Sequence, residues 1–169
     1  NLLAKKSFKY DFIEYMKTLW PISRTLLMEI LADRVSDRFV SELVWERLGY
    51  KRNEQDDSEL WVASKSTPVY WSIKFPKSPE VIAKRPASIH LTRSIPKEFK
   101  QSLKKYLDFE GYTIKELFPR RTRRATVVNW LLASLASRGE ELLKTGPLPD
   151  LLEPPLNPVN GHPGDSPVE

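Results

Sequence analysis

The stretch from Thr122 to Ser137 restricts the possible folds more than any other part of the sequence. Its apolar residues recur at helical spacing and leave only a narrow polar face. A helix that is apolar nearly all round is stable in water only when other elements surround it. The sequence therefore predicts a domain built around one central helix, running from about Thr122 to Ser137. The residues that indicate this are Val127, Val128, Trp130, Leu131, Leu132 and Leu135.

Three helices are predicted in the first 49 residues. One follows Ser23 and another follows Ser36, because each serine is a suitable N-cap and is followed by apolar residues at spacings of three and four. Gly49 supplies the C-terminal stop of the second. A short amphipathic helix is also predicted over residues 8–19. We favour its packing on the domain or on a partner over contact with a membrane surface.

The middle of the chain is predicted to form a small sheet and one more helix. Residues 60–63 and Val69–Phe75 are read as strands, the latter from its period-two alternation of apolar and polar residues. Residues 88–92 alternate in the same way and predict a short strand. Pro96 then suits the first turn of a helix that presents lysines to water and closes at Gly111.

Length and composition indicate one domain with flanking segments. A chain of 169 residues with 40% hydrophobic residues can bury one ordinary core. We predict an α+β fold, mainly helical with a small antiparallel sheet or hairpin, over residues 22–145. Residues 1–21 form the N-terminal amphipathic helix. Residues 146–169 contain seven prolines and no apolar periodicity, so they predict a disordered tail.

Several function classes are excluded or disfavoured by residue content. The chain has no cysteine and two histidines, which excludes thiolate chemistry and a histidine-rich metal site. It lacks a glycine-rich phosphate loop and the motifs of hydrolases and zinc enzymes. No apolar run approaches the roughly 20 residues that a membrane span needs. We therefore expect a non-enzymatic protein with no cofactor, no metal and no membrane span.

Positive charge is concentrated in one part of the sequence. Residues 84–124 hold twelve Lys or Arg and four Asp or Glu. Arg120, Arg121, Arg123 and Arg124 stand where the central helix is predicted to begin, and a helix N-terminus attracts anions rather than cations. We therefore predict an exposed arginine corner that binds an acidic partner. These four arginines would be its primary contacts, and the flanking contacts would be Arg93, Lys97 and Lys104.

Two kinds of partner fit such a corner. One is an acidic protein surface, often within a larger complex, because arginine makes bidentate contacts with carboxylates. The other is nucleic acid, either through phosphates or as in ribbon-helix-helix proteins, where Ser88, His90 and Thr92 would read bases from a strand. A purely structural alternative also stays open. If the helix begins near Ile114 and kinks at Pro119, the arginines lie inside it and pair with Glu116.

Three motifs resemble an uncharacterised protein family of cyanobacteria and of plastids in photosynthetic eukaryotes. They are "LADRVSDRFVSELVWERLGY", "RPASIHLTRSIP" and "GYTIKELFPRRTRRATVVNWLL". The resemblance covers roughly residues 23–135. It implies a location in the cyanobacterial cytoplasm or the plastid stroma, and it supplies no catalytic residues.

Overall fold

Two capped helices begin the described part of the chain, in agreement with the sequence. The structure is a computed structural model that describes residues 19–53 and 60–169. Helix α1 spans Arg24–Leu31 and helix α2 spans Asp37–Arg47. The predicted N-terminal helix over residues 8–19 lies outside the described residues except for its last position.

Serine side chains begin both helices, as predicted. The Ser23 hydroxyl accepts a hydrogen bond from the Leu26 N–H at 3.1 Å, and the Ser36 hydroxyl accepts one from the Phe39 N–H at 3.1 Å. Each bond satisfies an N–H that has no partner within its helix. The two predicted starts are therefore confirmed.

A tight turn at Gly49 leads from α2 into a small sheet. Gly49 has a φ of +82°, and a Cβ atom at this position would lie 2.9 Å from the carbonyl carbon of Ser66. Glycine is required there both by its conformation and by the approach of the neighbouring backbone. Strand β1, Lys51–Arg52, then pairs antiparallel with strand β2, Trp61–Val62. The fold class predicted from the sequence, mainly helical with a small antiparallel sheet, is confirmed.

Two segments predicted as strands are helices. Helix α3 spans Val69–Ser72 within the first, and helix α4 spans Arg85–Ser94 across the second. Helix α4 buries Ala87, Ser88 and Leu91, which are spaced by one and three residues on one helical face. Pro86 lies in its first turn, where a missing N–H is tolerated.

The lysine-rich helix predicted after Pro96 is divided into two shorter elements. A 3-10 turn covers Lys97–Phe99, and helix α5 covers Ser102–Leu107. Helix α5 ends at Asp108, which has a left-handed φ of 53°, three residues before the predicted stop at Gly111. A second 3-10 turn, Ile114–Glu116, follows.

Helix α6, Pro119–Ser137, is the centre of the fold. Twelve of its 19 residues are buried, and it contacts α1, α2, α4 and α5. Its start lies three residues before the predicted Thr122, since the fixed φ of proline suits the first helical turn. The prediction of a central helix is confirmed.

Residues 146–169 are not the disordered tail that their composition predicted. Leu148 and Leu151 pack against the core, and the Leu152 N–H donates to the Arg34 carbonyl at 2.9 Å. His162 is 4% exposed. The segment is held mainly by polar contacts with backbone groups, which composition does not reveal.

No helix in residues 19–53 and 60–169 is long and apolar enough to cross a lipid bilayer.

Candidate functional site

The arginines at the start of α6 point in different directions. Arg120 and Arg124 are one turn apart and lie on the same side of the helix. Both are buried, with side chains 1% and 3% exposed. Arg123 is also buried, whereas Arg121 is partly exposed.

Arg120 makes a forked contact with one aspartate and a single contact with another. Its two terminal nitrogens donate to the two carboxylate oxygens of Asp33, at 2.6 and 2.7 Å. Its Nε donates to Asp37 Oδ2 at 2.9 Å. Burial alone would lower the pKa of Arg120, but the hydrogen bonds and charges of Asp33 and Asp37 raise it above its ordinary value.

Arg124 completes the same buried network. Its Nη1 donates to Asp37 Oδ1 at 2.6 Å, so the carboxylate of Asp37 bridges both arginines. Its Nη2 donates to the carbonyls of Ile30 and Val35, each at 2.8 Å. Two guanidinium groups and two carboxylates therefore neutralise each other inside the protein.

Arg123 is buried on a different side of α6. Its Nη1 donates to the Ile82 carbonyl at 2.9 Å and to the Ala83 carbonyl at 3.3 Å. Burial, followed by the charge of Arg85, lowers its pKa.

The predicted exposed arginine corner is therefore wrong for Arg120, Arg123 and Arg124. The arginines do have carboxylate partners, but Asp33 and Asp37 of this same chain supply them. In the structure these three arginines are buried and not exposed as the prediction required.

Arg121 lies at the surface beside aromatic rings. Its guanidinium carbon is 4.6 Å from the Phe118 ring centroid and 5.4 Å from that of Tyr112, and its Nη1 is 3.5 Å from Glu116 Oε2. Hydrogen bonds from Thr113, followed by the charge of Arg121, lower the pKa of Glu116. The structural alternative in the sequence analysis paired the arginines with Glu116. Of the four, Arg121 forms this ion pair. The helix itself begins at Pro119, not near Ile114.

An open cavity of about 670 Å³ lies on this side of the molecule, and we call it the groove. Its walls are the end of α4, the start of α5, the loop over residues 109–117 and one face of α6. Its buried lining residues are Ile95, Ala125 and Asn129. The lining residues are Thr92, Ile95, Lys100, Gln101, Leu103, Lys104, Phe109, Glu110, Gly111, Tyr112, Leu117, Thr122, Ala125, Thr126 and Asn129.

Polar side chains of the groove hold the backbone that forms it. Asn129 Oδ1 accepts from the Leu103 N–H at 3.1 Å, and its Nδ2 donates to the Lys100 carbonyl at 3.2 Å. The hydroxyls of Thr122 and Thr126 donate to carbonyls of the preceding helical turn, at 3.0 Å each. Asn129 therefore fixes the start of α5 against α6, whereas the two threonine bonds lie within α6.

The rim of the groove is mainly basic. Lys100 and Lys104 are exposed and line it, together with one acidic residue, Glu110. Arg121 lies beside it, because the ring of Tyr112 forms part of the wall.

Three predicted flanking residues are exposed as expected, and one of them lines the groove. Lys104 lines it, whereas Arg93 and Lys97 are exposed outside its lining. The sequence reasoning did not single out Lys100, Tyr112 or Leu117 as site residues. The signal available for this site was Asn129, a polar residue within an otherwise apolar helix.

The described residues contain no group of three or more His, Cys, Asp or Glu that could hold a metal ion. Ser88, His90 and Thr92, proposed as strand residues that read bases, lie on helix α4. Ser88 is buried there, so these three side chains do not form the strand face that a ribbon-helix-helix protein requires.

Comparisons with known proteins identify the domain but give no activity. Residues 21–136 match a family model described as "Domain of unknown function (DUF1823)". A solved structure, described as the solution NMR structure of a protein, is 45% identical to this chain with a TM-score of 0.60. The match covers 71% of this chain and 98% of that one. No curated protein matches.

Proposed function

The chain belongs to the DUF1823 family, and from its geometry we propose that it is a non-catalytic binding domain that holds an acidic, partly apolar protein segment in the groove. The observation that carries this proposal is an open cavity of about 670 Å³ whose lining combines apolar side chains with two exposed lysines. Pockets of this size bind ligands through apolar burial, and a few polar groups give the specificity.

Charge favours an acidic partner. Lys100 and Lys104 line the groove and Arg121 lies beside it, whereas Glu110 is the acidic residue of the lining. Such a rim attracts carboxylates and speeds their association more than it strengthens the final complex. The apolar side chains of the lining, including Phe109 and the exposed Leu117, add the contact area that lysines alone do not supply.

Three polar residues of the groove, Asn129, Thr122 and Thr126, support binding rather than catalysis. Both amide atoms of Asn129 are committed to the backbone of residues 100 and 103. The threonine hydroxyls donate to carbonyls of their own helix. These hydrogen-bonding groups hold the walls in place, and a catalytic acid or base would instead have to face the reacting atoms.

The partner would be a protein of the compartment that the family resemblance implies, the cyanobacterial cytoplasm or the plastid stroma. A groove that accepts one short segment can bind that segment even when the partner protein is part of a larger complex. The nucleic-acid alternative has less support, since three of the four arginines on which it depended are buried.

Photo-crosslinking tests the proposal. A benzophenone amino acid replaces Leu117, which is 52% exposed and lines the groove, or Ile73, which is 78% exposed and lies outside the lining. Each variant is irradiated in an extract of a photosynthetic organism, with nuclease added to half of the sample. We expect a protein crosslinked from position 117 but not from 73, through a peptide rich in Asp and Glu, with or without nuclease.

A charge-reversal pair provides the matched control. Lys100→Glu with Lys104→Glu is expected to reduce crosslinking on the order of tenfold, because the rim then repels the partner. Lys65→Glu with Lys77→Glu makes the same change on exposed residues outside the groove and is expected to have no effect. Equal crosslinking in both pairs would reject the groove, and a product that nuclease removes would favour nucleic acid.

A further inference from the structure

Residues 157–169, which we call the strap, cross a second surface of the domain. This surface is formed by Asp33, the first turn of α2, Ala83 and Arg120, all within the family match over residues 21–136. The strap itself lies outside that match.

Asp165 anchors the strap to the N-terminus of α2. Its carboxylate accepts hydrogen bonds from the N–H groups of Asp37, at 3.0 Å, and Arg38, at 3.1 Å. It also accepts from the His162 N–H at 3.0 Å, and its side chain is 2% exposed. Ser36 satisfies the next N–H of the helix, so the strap supplies partners for two donors that α2 cannot satisfy itself.

A turn over residues 162–165 holds a second anchor. The Asp165 N–H donates to the His162 carbonyl at 3.0 Å, and His162 Nε2 lies 3.0 Å from the carbonyl oxygen of Asp33. His162 is 4% exposed, so the imidazole is fully inserted against the domain. A histidine and an aspartate three residues apart thus contact the surface together.

The fit between strap and domain is close. Arg120 Nη1 donates to the Pro158 carbonyl at 3.1 Å, and the Glu169 N–H donates to the Ala83 carbonyl at 2.8 Å. At Gly161 a Cβ atom would lie 2.7 Å from the Asp165 Cβ and 3.0 Å from Asp37 Oδ2. The strap therefore tolerates no added atom at that point.

These contacts resemble peptide recognition more than core packing. The strap buries its histidine and aspartate, whereas Val159, Pro163 and Gly164 are exposed. The domain contributes N–H groups, carbonyls and one guanidinium that already belongs to a buried ion network. A surface of this kind binds a short segment by directional hydrogen bonds.

We propose that this surface is a docking site for an acidic turn of the form His-x-x-Asp, which the strap occupies within the same chain and which accepts the same segment from a separate molecule once the strap is released. Tethering gives the strap an effective concentration in the millimolar range, so a free peptide competes poorly until an anchor is lost. The site is distinct from the groove and shares none of its lining residues.

A labelled peptide tests the proposal on the whole 169-residue chain. The probe is a synthetic peptide of residues 157–169 with fluorescein at its N-terminus, and binding is read from fluorescence anisotropy. The protein variants are Asp165→Ala and Gly161→Ala, which alter the strap and leave the domain residues intact. We expect both variants to bind the peptide at least about tenfold more tightly than the wild-type chain does. A peptide carrying Asp165→Asn is expected to lose this binding.

Limited proteolysis within residues 157–169 and circular dichroism establish that the strap is released while the domain stays folded. The proposal is overturned if a folded variant with a released strap fails to bind the peptide. It is also overturned if the strap stays protected in both variants, or if the wild-type chain binds equally well. The Lys100→Glu, Lys104→Glu pair is expected to leave this binding unchanged, so failure here is separable from failure of the groove.

Discussion

The buried network of Arg120, Arg124, Asp33 and Asp37 joins three parts of the chain at the residue scale. It connects the start of α6, the start of α2 and the turn between α1 and α2. Burying a charge is costly unless a well-placed partner compensates it, and here every guanidinium meets a carboxylate within 2.9 Å. The network therefore stabilises one specific arrangement of these segments.

Replacing Arg124 is expected to be strongly destabilising. Arg124→Met leaves Asp37 with less compensation and leaves the carbonyls of Ile30 and Val35 without their donor, which costs about 3–5 kcal/mol of unfolding free energy. Urea denaturation measures this loss. Arg121→Met, on the same helix but partly exposed, is expected to change stability by no more than about 1 kcal/mol. Equal losses in the two variants would show that the network contributes nothing specific.

Tyr50 is expected to give stability an alkaline dependence. Its hydroxyl donates to the Phe75 carbonyl at 2.6 Å, and burial raises the pKa of Tyr50 to about 12. Because the folded pKa exceeds the ordinary value of about 10, the contribution is complete below pH 10 and is lost as the pH rises toward 12. The stability difference between wild type and Tyr50→Phe is therefore expected to shrink across this interval in urea titrations. A constant difference would contradict the assignment.

At the scale of secondary-structure elements, α1, α2 and α6 were predictable and α3 and α4 were not. In α1, α2 and α6 large apolar residues repeat at spacings of three and four, and Ser23 and Ser36 mark the starts of the first two. In α4 the buried face includes Ala87 and Ser88, which carry little hydrophobic signal, so the alternation around Ile89 suggested a strand. Short segments fit both periods, and the packing against α6 decides between them.

The candidate sites were only partly predictable for a related reason. The arginines of α6 were identified as important, but their carboxylate partners are 83 and 87 residues away along the chain. No local pattern reveals which acidic residue comes within reach. The strap was read as disordered from its prolines, because its contacts are with backbone N–H and carbonyl groups that every sequence possesses.

At the scale of the whole molecule, α6 is the element that makes the core continuous. It contacts four other helices, and Leu131 near its middle is fully buried. Because four helices pack on α6, loss of α6 would expose the apolar faces of all four. We therefore expect the domain to unfold in a single transition.

Leu131→Ala is expected to cost about 2–5 kcal/mol of unfolding free energy, since the cavity it leaves is surrounded by several helices. Leu143→Ala removes the same side chain at a position 46% exposed and is expected to cost far less, about 0.5 kcal/mol. Chemical denaturation of both variants measures the difference. A comparable effect at the two positions would argue against a core organised around α6.

The order of the helices along the chain has a consequence for biosynthesis. Helices α1 to α5 all precede α6, yet four of them bury their apolar faces against it. While the protein is being translated, those faces have no native partner until Pro119–Ser137 has left the ribosome. The nascent chain must therefore carry exposed hydrophobic surface until this helix emerges, which is the condition under which chaperones bind.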